Sequence, residues 1–192
     1  MYIETTEKLL DFIEKSPTAF QAVDEMQKRL TENGFEVLSE KEYWKLVPGG
    51  KYLVTRNNSA LIAFCIPEKE SRVFHIMASH SDSPSFKIKE NPEIKVDNSY
   101  VKLNVEKYGG MITQSWFDRP LGAAGRIVCD VDGILDSILV NISEPSFIIP
   151  SLAIHMTRGN DASKTGISVQ KEMQPVAADK GLYELIRKEF GI

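Results

Sequence analysis

Histidine and cysteine are scarce in this sequence: three of the first and two of the second among 192 residues. Cys65 and Cys129 each sit inside an apolar run. They read as buried free thiols, which argues against a disulfide framework and against a zinc site built from two distant thiols. No apolar run approaches the ~20 residues that a membrane-spanning helix needs. Positive charge is not in excess. Lys and Arg total 23 against 27 Asp and Glu, a formal net charge of -4, so no nucleic-acid partner is expected. The acidic start, Met1 to Glu7, lacks a basic region followed by an apolar core. No secretory signal is read there, and a soluble cytoplasmic protein is expected. No glycine-rich turn leads into a helix with a following Lys-Ser or Lys-Thr, which removes the P-loop type of phosphate cradle.

What is present is ordinary globular composition, 42% hydrophobic and 26% charged, in a chain long enough for one sizeable domain or two small ones. Leu9, Leu10, Phe12 and Ile13 give a first helix its apolar face. Ser16 is read as the N-cap of a second helix with Pro17 at its first position. Phe20, Val23, Met26 and Leu30 recur at helical spacing, and Asn33-Gly34 is the stop. Residues 51–56 and 60–66 are β-rich and flank Asn57-Asn58-Ser59, the pattern of a hairpin. Val73 to Ala78 is a nearly continuous apolar run, which predicts a strand buried on both faces. From about 85 to 175 no helical periodicity is seen. Val101, Leu103 and Val105 alternate with polar residues, and residues 126–131 and 134–140 flank Asp132-Gly133, a strong hairpin signal. Phe147–Ile149 and Leu152–Ile154 read as short strands. Leu182, Leu185, Ile186 and Phe190 then share one helical face, with Gly191 placed to end it.

The segment richest in chemistry is Ser79-His80-Ser81-Asp82-Ser83-Pro84. It directly follows the apolar run, and ligand sites in open α/β sheets lie beyond the carboxyl ends of strands. Residues two apart in extended backbone face one side, so His80 and Asp82 project together. An imidazole can ligate a metal while a neighbouring carboxylate orients it. A loop histidine beside a capping aspartate satisfies the same pattern. The serines around His80 lack the strand-to-helix elbow of a nucleophile. Lys69 to Arg72 reads as a solvated loop. His75 reads as a strand histidine with a satisfied hydrogen bond. Asp118-Arg119 is read as an internal ion pair or, alternatively, as part of a substrate-facing loop. Gly109-Gly110 marks a tight turn or bulge.

Five stretches, in order, resemble the aspartyl aminopeptidase family of zinc peptidases. They are Ser16 to Val23, similar to the family's Ser-Pro-x-x-Phe-His-Ala-Val; Gly49 to Phe64; the His80 run itself; Val105 to Gly110 leading to Ser115 to Arg126; and Ile149 to His155. The resemblance runs from roughly residue 7 to the end. It implies a mixed α+β and α/β fold: part of an α/β/α zinc-peptidase catalytic domain over 1–85, an inserted β-rich, barrel-like dimerisation domain over 86–178, and a helix over 179–192 leading back toward the remainder of the catalytic domain. It implies a metalloaminopeptidase that hydrolyses the N-terminal peptide bond of peptides with a two-metal activated water. The metals are zinc by resemblance, with cobalt and manganese as the other candidates. His80 would be a metal ligand, Asp82 its supporting carboxylate, and His155 a residue reaching a neighbouring subunit's substrate pocket. The implied partners are peptide substrates and further copies of the chain, in a dimer-based assembly that reaches a dodecamer.

Departures accompany the resemblance. Gln21 stands where the family carries histidine, and Pro120 and Gly122 replace residues that are more often acidic and hydroxylic. The Glu-Glu pair, the bridging carboxylate and the late histidine of the family have no counterpart among these residues. The alternative expectation is therefore a truncated, non-catalytic assembly fragment of such an enzyme. A β-barrel binding small molecules under a helical cap is a third reading, but it explains none of the motif order.

Overall fold

The computed structural model describes residues 2–71, 73–97, 99–153, 155, 167–177 and 180–191, with the backbone alone at Val131. The chain divides into two compact units. One comprises Met1–Ser83 with Gly125–Leu139, the other Pro84–Ala124 with Val140–Ile192. The architecture is mixed α/β, as the sequence predicts. The expected boundary at 178/179 lies outside the described residues, as do Arg72 of the charged loop and Ile154.

The first unit opens with helix α1 (Tyr2–Lys15) and helix α2 (Ala19–Glu32). The second helix starts later than expected. Thr18, not Ser16, is the N-cap, and its hydroxyl accepts a hydrogen bond from the Phe20 amide at 3.2 Å. Thr18 and Gln21 have the three-residue spacing of a capping box, which outweighs the Ser-Pro signal. Asn33 is the C-cap, followed by Gly34 at φ 82°, the left-handed turn that glycine adopts without strain. Arg29 bonds Asp11 at 2.8 Å and lies over the Phe12 ring, tying α2 to α1.

Strands β1 (Glu36–Leu38), β2 (Lys51–Arg56) and β3 (Ala60–Cys65) form a sheet in that order, β1 parallel to β2 and β3 antiparallel to it. Asn57 and Asn58 turn the β2–β3 hairpin at φ 52° and 50°, a backbone region that Asn tolerates better than most residues. Tyr52, Leu53 and Val54 are buried in succession, together with Ala22 and Val23 of α2. Consecutive buried residues mean that β2 is covered on both faces. Burial of a side chain such as Leu53 stabilises by about 1.5–3 kcal/mol.

Val73 to Ala78 departs from expectation. It forms no strand, and Phe74 and Ile76 are 85% and 84% exposed. The sheet ends at β3, and no described strand offers the segment a backbone partner. A strand apolar on both faces exists only when neighbours pair with it and layers cover it. His75 is likewise exposed and outside any strand. Cys65 ends β3, the edge strand of this sheet, and is exposed rather than buried; Cys129 is half-buried, and both thiols are free.

The second sheet has the order β4-β5-β8-β7-β6, with β4 at Ser85–Val96, β5 at Tyr100–Tyr108, β6 at Pro120–Val131, β7 at Ile134–Ile148 and β8 at Val176–Ala177. β6 and β7 flank Asp132-Gly133, both at positive φ, the turn the sequence signals. The β4–β5 register slips between Ile88 and Glu93, where Pro92 has no amide to donate to a ladder. The core of this second unit gathers Leu103, Val105, Ile142, Phe147 and Leu182, with Leu185, Ile186 and Phe190 of helix Leu182–Phe190 packed against it. Gly191 ends that helix in the left-handed conformation. Among the described residues, the short helical elements Thr113–Trp116 and Val169–Glu172 interrupt what the sequence presents as all-β, and His155 is also helical rather than at a strand end; the two elements are each about one turn, too short to leave a periodic signal. Phe147 and Ile148 are the end of the long β7 rather than a separate strand, and Leu152 and Ala153 are not in a strand. Among the described residues, no helix is long and apolar enough to cross a membrane.

Candidate metal-ligand loop and its supports

Residues 79–84 carry no helical or strand hydrogen bonding. The loop is tied to the first sheet through Ser81, whose hydroxyl donates to the Ser59 carbonyl at 3.1 Å, at the end of the β2–β3 turn. His80 and Asp82 are brought together on one side of the chain. His80 Nδ1 lies 2.7 Å from the Asp82 carbonyl oxygen and 3.2 Å from its Oδ1. A carbonyl oxygen only accepts, so Nδ1 carries the proton. In the Nδ1–H tautomer, Nε2 is the atom a metal or a proton donor would engage. The His80 side chain is 82% exposed, so the ion-pair component with Asp82 adds little stability. The consequence of the pairing is ring orientation.

A zinc centre needs more. Catalytic zinc takes three protein ligands, and among the described residues no group of three or more His, Cys, Asp or Glu side chains gathers in a metal-holding arrangement. His80 with Asp82 fits one ligand and its orienting partner; it does not fit a complete centre. A cleft of about 310 Å³ in the same unit is lined by residues from Gly34 to Tyr52 and shares none with the loop.

His155 belongs to the second unit and is exposed. Its neighbours at 154 and 156–166 lie outside the described residues. Asp118 does not pair with Arg119. Its carboxylate accepts from the Ser151 hydroxyl at 2.6 Å and the Ser151 amide at 3.0 Å, because the left-handed backbone at Asp118 (φ 56°) directs it toward that segment. These bonds, the hydroxyl's first, hold the carboxyl below the usual Asp range. Gly109 adopts φ 74° against Pro84, in keeping with the tight turn read from the sequence.

Two further residues tie helix α2 and the β2–β3 turn to residues 125–126. Gln21 is buried. The Thr18 hydroxyl donates to its Oε1, and its Nε2 donates to the Gly125 carbonyl at 3.2 Å. Arg126 donates to the Asn57 carbonyl at 2.9 Å and lies over the Phe20 ring. Thr-x-x-Gln before an apolar helix is a readable signal for Gln21; nothing in the sequence pairs Arg126 with Asn57.

The family model of the aminopeptidase I zinc metalloproteases, M18, matches residues 12–188. The chain belongs to the M18 peptidase family. Among curated M18 relatives, a probable M18 family aminopeptidase 2 of Clostridium novyi is 49% identical over 160 residues, 81% of this chain and 37% of that protein. The aspartyl aminopeptidase of Dictyostelium discoideum is 39% identical over 183 residues, again 37% of its length. Similar solved structures include the Ape4 and Nbr1 complex, with TM-score 0.82 and 38% identity over 88% of this chain and 33% of that one. Another is mApe1 of Chaetomium thermophilum, with TM-score 0.79 and 34% identity over 91% and 40%. A yeast mApe1 solved as a dodecamer shares the fold at TM-score 0.76 and 24% identity. This M18 chain thus spans little more than a third of the length of the two curated relatives described.

Proposed function

We propose that this chain supplies one metal ligand and the assembly module of an M18 metalloaminopeptidase that removes N-terminal residues from peptides. The observation that carries the reading is the match over residues 12–188, which includes a loop where His80 Nδ1 lies 2.7 Å from the Asp82 carbonyl oxygen. On this reading residues 1–85 are the start of the catalytic domain and 86–178 the β-rich dimerisation domain. Residues 179–192 lead back toward the catalytic domain. His80 is a ligand to one of two divalent metals, zinc or alternatively cobalt or manganese, and Asp82 fixes its tautomer. His155 serves a neighbouring subunit's substrate pocket in a dimer-based homo-oligomer.

Bound metal of this kind supplies Lewis acidity and a water of lowered pKa. The described residues do not complete such a centre, so the contribution derived for this chain is limited to holding one imidazole in one tautomer. The experiment is His80→Ala in a protein of family length carrying this sequence, with metal content and release of N-terminal residues measured together. Loss of activity by more than about 100-fold, with loss of bound metal, is expected for a removed ligand. Unchanged metal content and turnover would end the assignment.

A second reading is favoured by one observation, the lack of a three-donor cluster among the described residues. Under it, the 192-residue chain is an assembly fragment without turnover. Tight binding of two zinc ions by the isolated chain, with peptidase activity, would rule it out.

A further inference from the structure

We infer that Arg126 is a positioning residue for His80, acting through the β2–β3 turn. The functional weight of this inference rests on the metal-ligand reading of His80; the positioning itself does not.

The turn at Asn57 and Asn58 holds two residues at positive φ, a region Asn tolerates, and Arg126 tethers it from outside with one nitrogen. Its Nη1 donates to the Asn57 carbonyl at 2.9 Å and to Asn57 Oδ1 at 3.2 Å. The guanidinium is fixed in turn, with its carbon 4.3 Å from the centre of the Phe20 ring, a stacking a planar cation makes well and an ammonium less so. The backbone beside it is also anchored, since the neighbouring Gly125 carbonyl accepts from buried Gln21. Helix α2 therefore anchors residues 125 and 126, and Arg126 ties the turn to that anchor. The last residue of that turn, Ser59, accepts from Ser81 at 3.1 Å. Ser81 lies between His80 and Asp82, the two residues whose separation defines the ring contact. The loop has no regular backbone pairing of its own. Release of the turn should therefore free the peptide whose carbonyl holds the Nδ1 proton.

The test reads the tautomer directly. The 192-residue chain is labelled with 15N-histidine, and long-range proton–nitrogen correlation spectra are recorded well above the ordinary imidazole pKa of about 6.5. The three histidines are distinguished with His80→Gln. In the unaltered chain His80 is expected as the Nδ1–H form. Arg126→Ala and Ser81→Ala should each lower the ratio of Nδ1–H to Nε2–H several-fold, and Arg126→Lys should recover part of the loss. Phe20→Leu keeps an apolar side chain and removes the stacking surface. It should move the ratio the same way by less, and it provides the reading if Arg126→Ala does not fold. Amide signals of β2 and β3 should stay in place throughout. A wild-type ratio in Arg126→Ala or Phe20→Leu, with the fold intact, overturns the inference. The metal-ligand reading fails on different data, the metal content of His80→Ala, so the two outcomes are separable.

Discussion

Asp118 reaches 33 positions along the chain to Ser151 and binds both its amide and its hydroxyl, at 3.0 and 2.6 Å. Its own amide donates to the Ile149 carbonyl at 2.9 Å. One left-handed residue thus clips the stretch that leads to His155. The carboxyl is held below its usual range chiefly by the Ser151 hydroxyl, then by the amide. A group whose folded pKa is depressed contributes stability that is present above its unfolded pKa, ordinarily about 3.9, and is lost as pH falls through the folded value. Asp118→Asn keeps the shape and tolerates the positive φ but removes the charge. Urea unfolding should show the variant less stable than wild type at neutral pH, with the difference closing below the ordinary carboxyl range. A gap that stays constant down to acid pH would show that the charge is not what matters.

Val73, Phe74, Ile76 and Met77 are all strongly exposed. A run of this kind favours association through edges and apolar faces. The isolated chain should therefore self-associate with concentration. A double substitution, Phe74→Ser with Ile76→Lys, should reduce the association without changing the amide signals of β2 and β3. Light scattering across a concentration series checks this. A monodisperse monomer before substitution would contradict it.

Much of this fold follows from local patterns. The Asn57-Asn58-Ser59 and Asp132-Gly133 turns, the Asn33-Gly34 helix stop and the apolar face of helix Leu182–Phe190 are each specified by a few adjacent residues, and the structure has them all. The patterns mislead where the outcome depends on a distant partner. Val73 to Ala78 is patterned for burial, but burial needs neighbours that are not in the segment. Ser16-Pro17 is a sound start signal, and a better cap lies two residues on. The His80–Asp82 approach was readable because it is local. The hold on that loop is not, because Ser59 bonds it from the β2–β3 turn, and that turn is itself tied to Arg126 and Phe20 on other elements.

Gly122 sits where the structure leaves no room for a side chain. A Cβ built there would lie 2.3 Å from the Ile142 carbonyl oxygen on β7. That neighbour is backbone, so relief requires β6 and β7 to move apart. Gly122→Ser, which introduces the hydroxylic residue that the family resemblance leads one to expect, should destabilise the second unit by about 1–3 kcal/mol, as overpacking does. Chemical denaturation followed at Trp116 would measure it. A neutral result would show that the two strands separate at no cost.

Thr18 and Gln21 together start α2, and each depends on the other. Thr18 caps the helix through the Phe20 amide and donates its hydroxyl proton to Gln21 Oε1, while Gln21 Nε2 holds Gly125. Thr18→Ala removes a cap, a loss of about 1 kcal/mol. Gln21→Ala removes a buried polar side chain and leaves the Gly125 carbonyl without that donor, a loss of about 1–3 kcal/mol. Because the two share one hydrogen bond, the double variant should lose less than the sum, with a coupling of about 0.5 kcal/mol or more. Gln21→His, the residue expected here from the family resemblance, should retain part of the network through a ring nitrogen. Additive losses in the cycle would mean that Gln21 serves Gly125 alone, and the start of α2 would then rest on Thr18 without help.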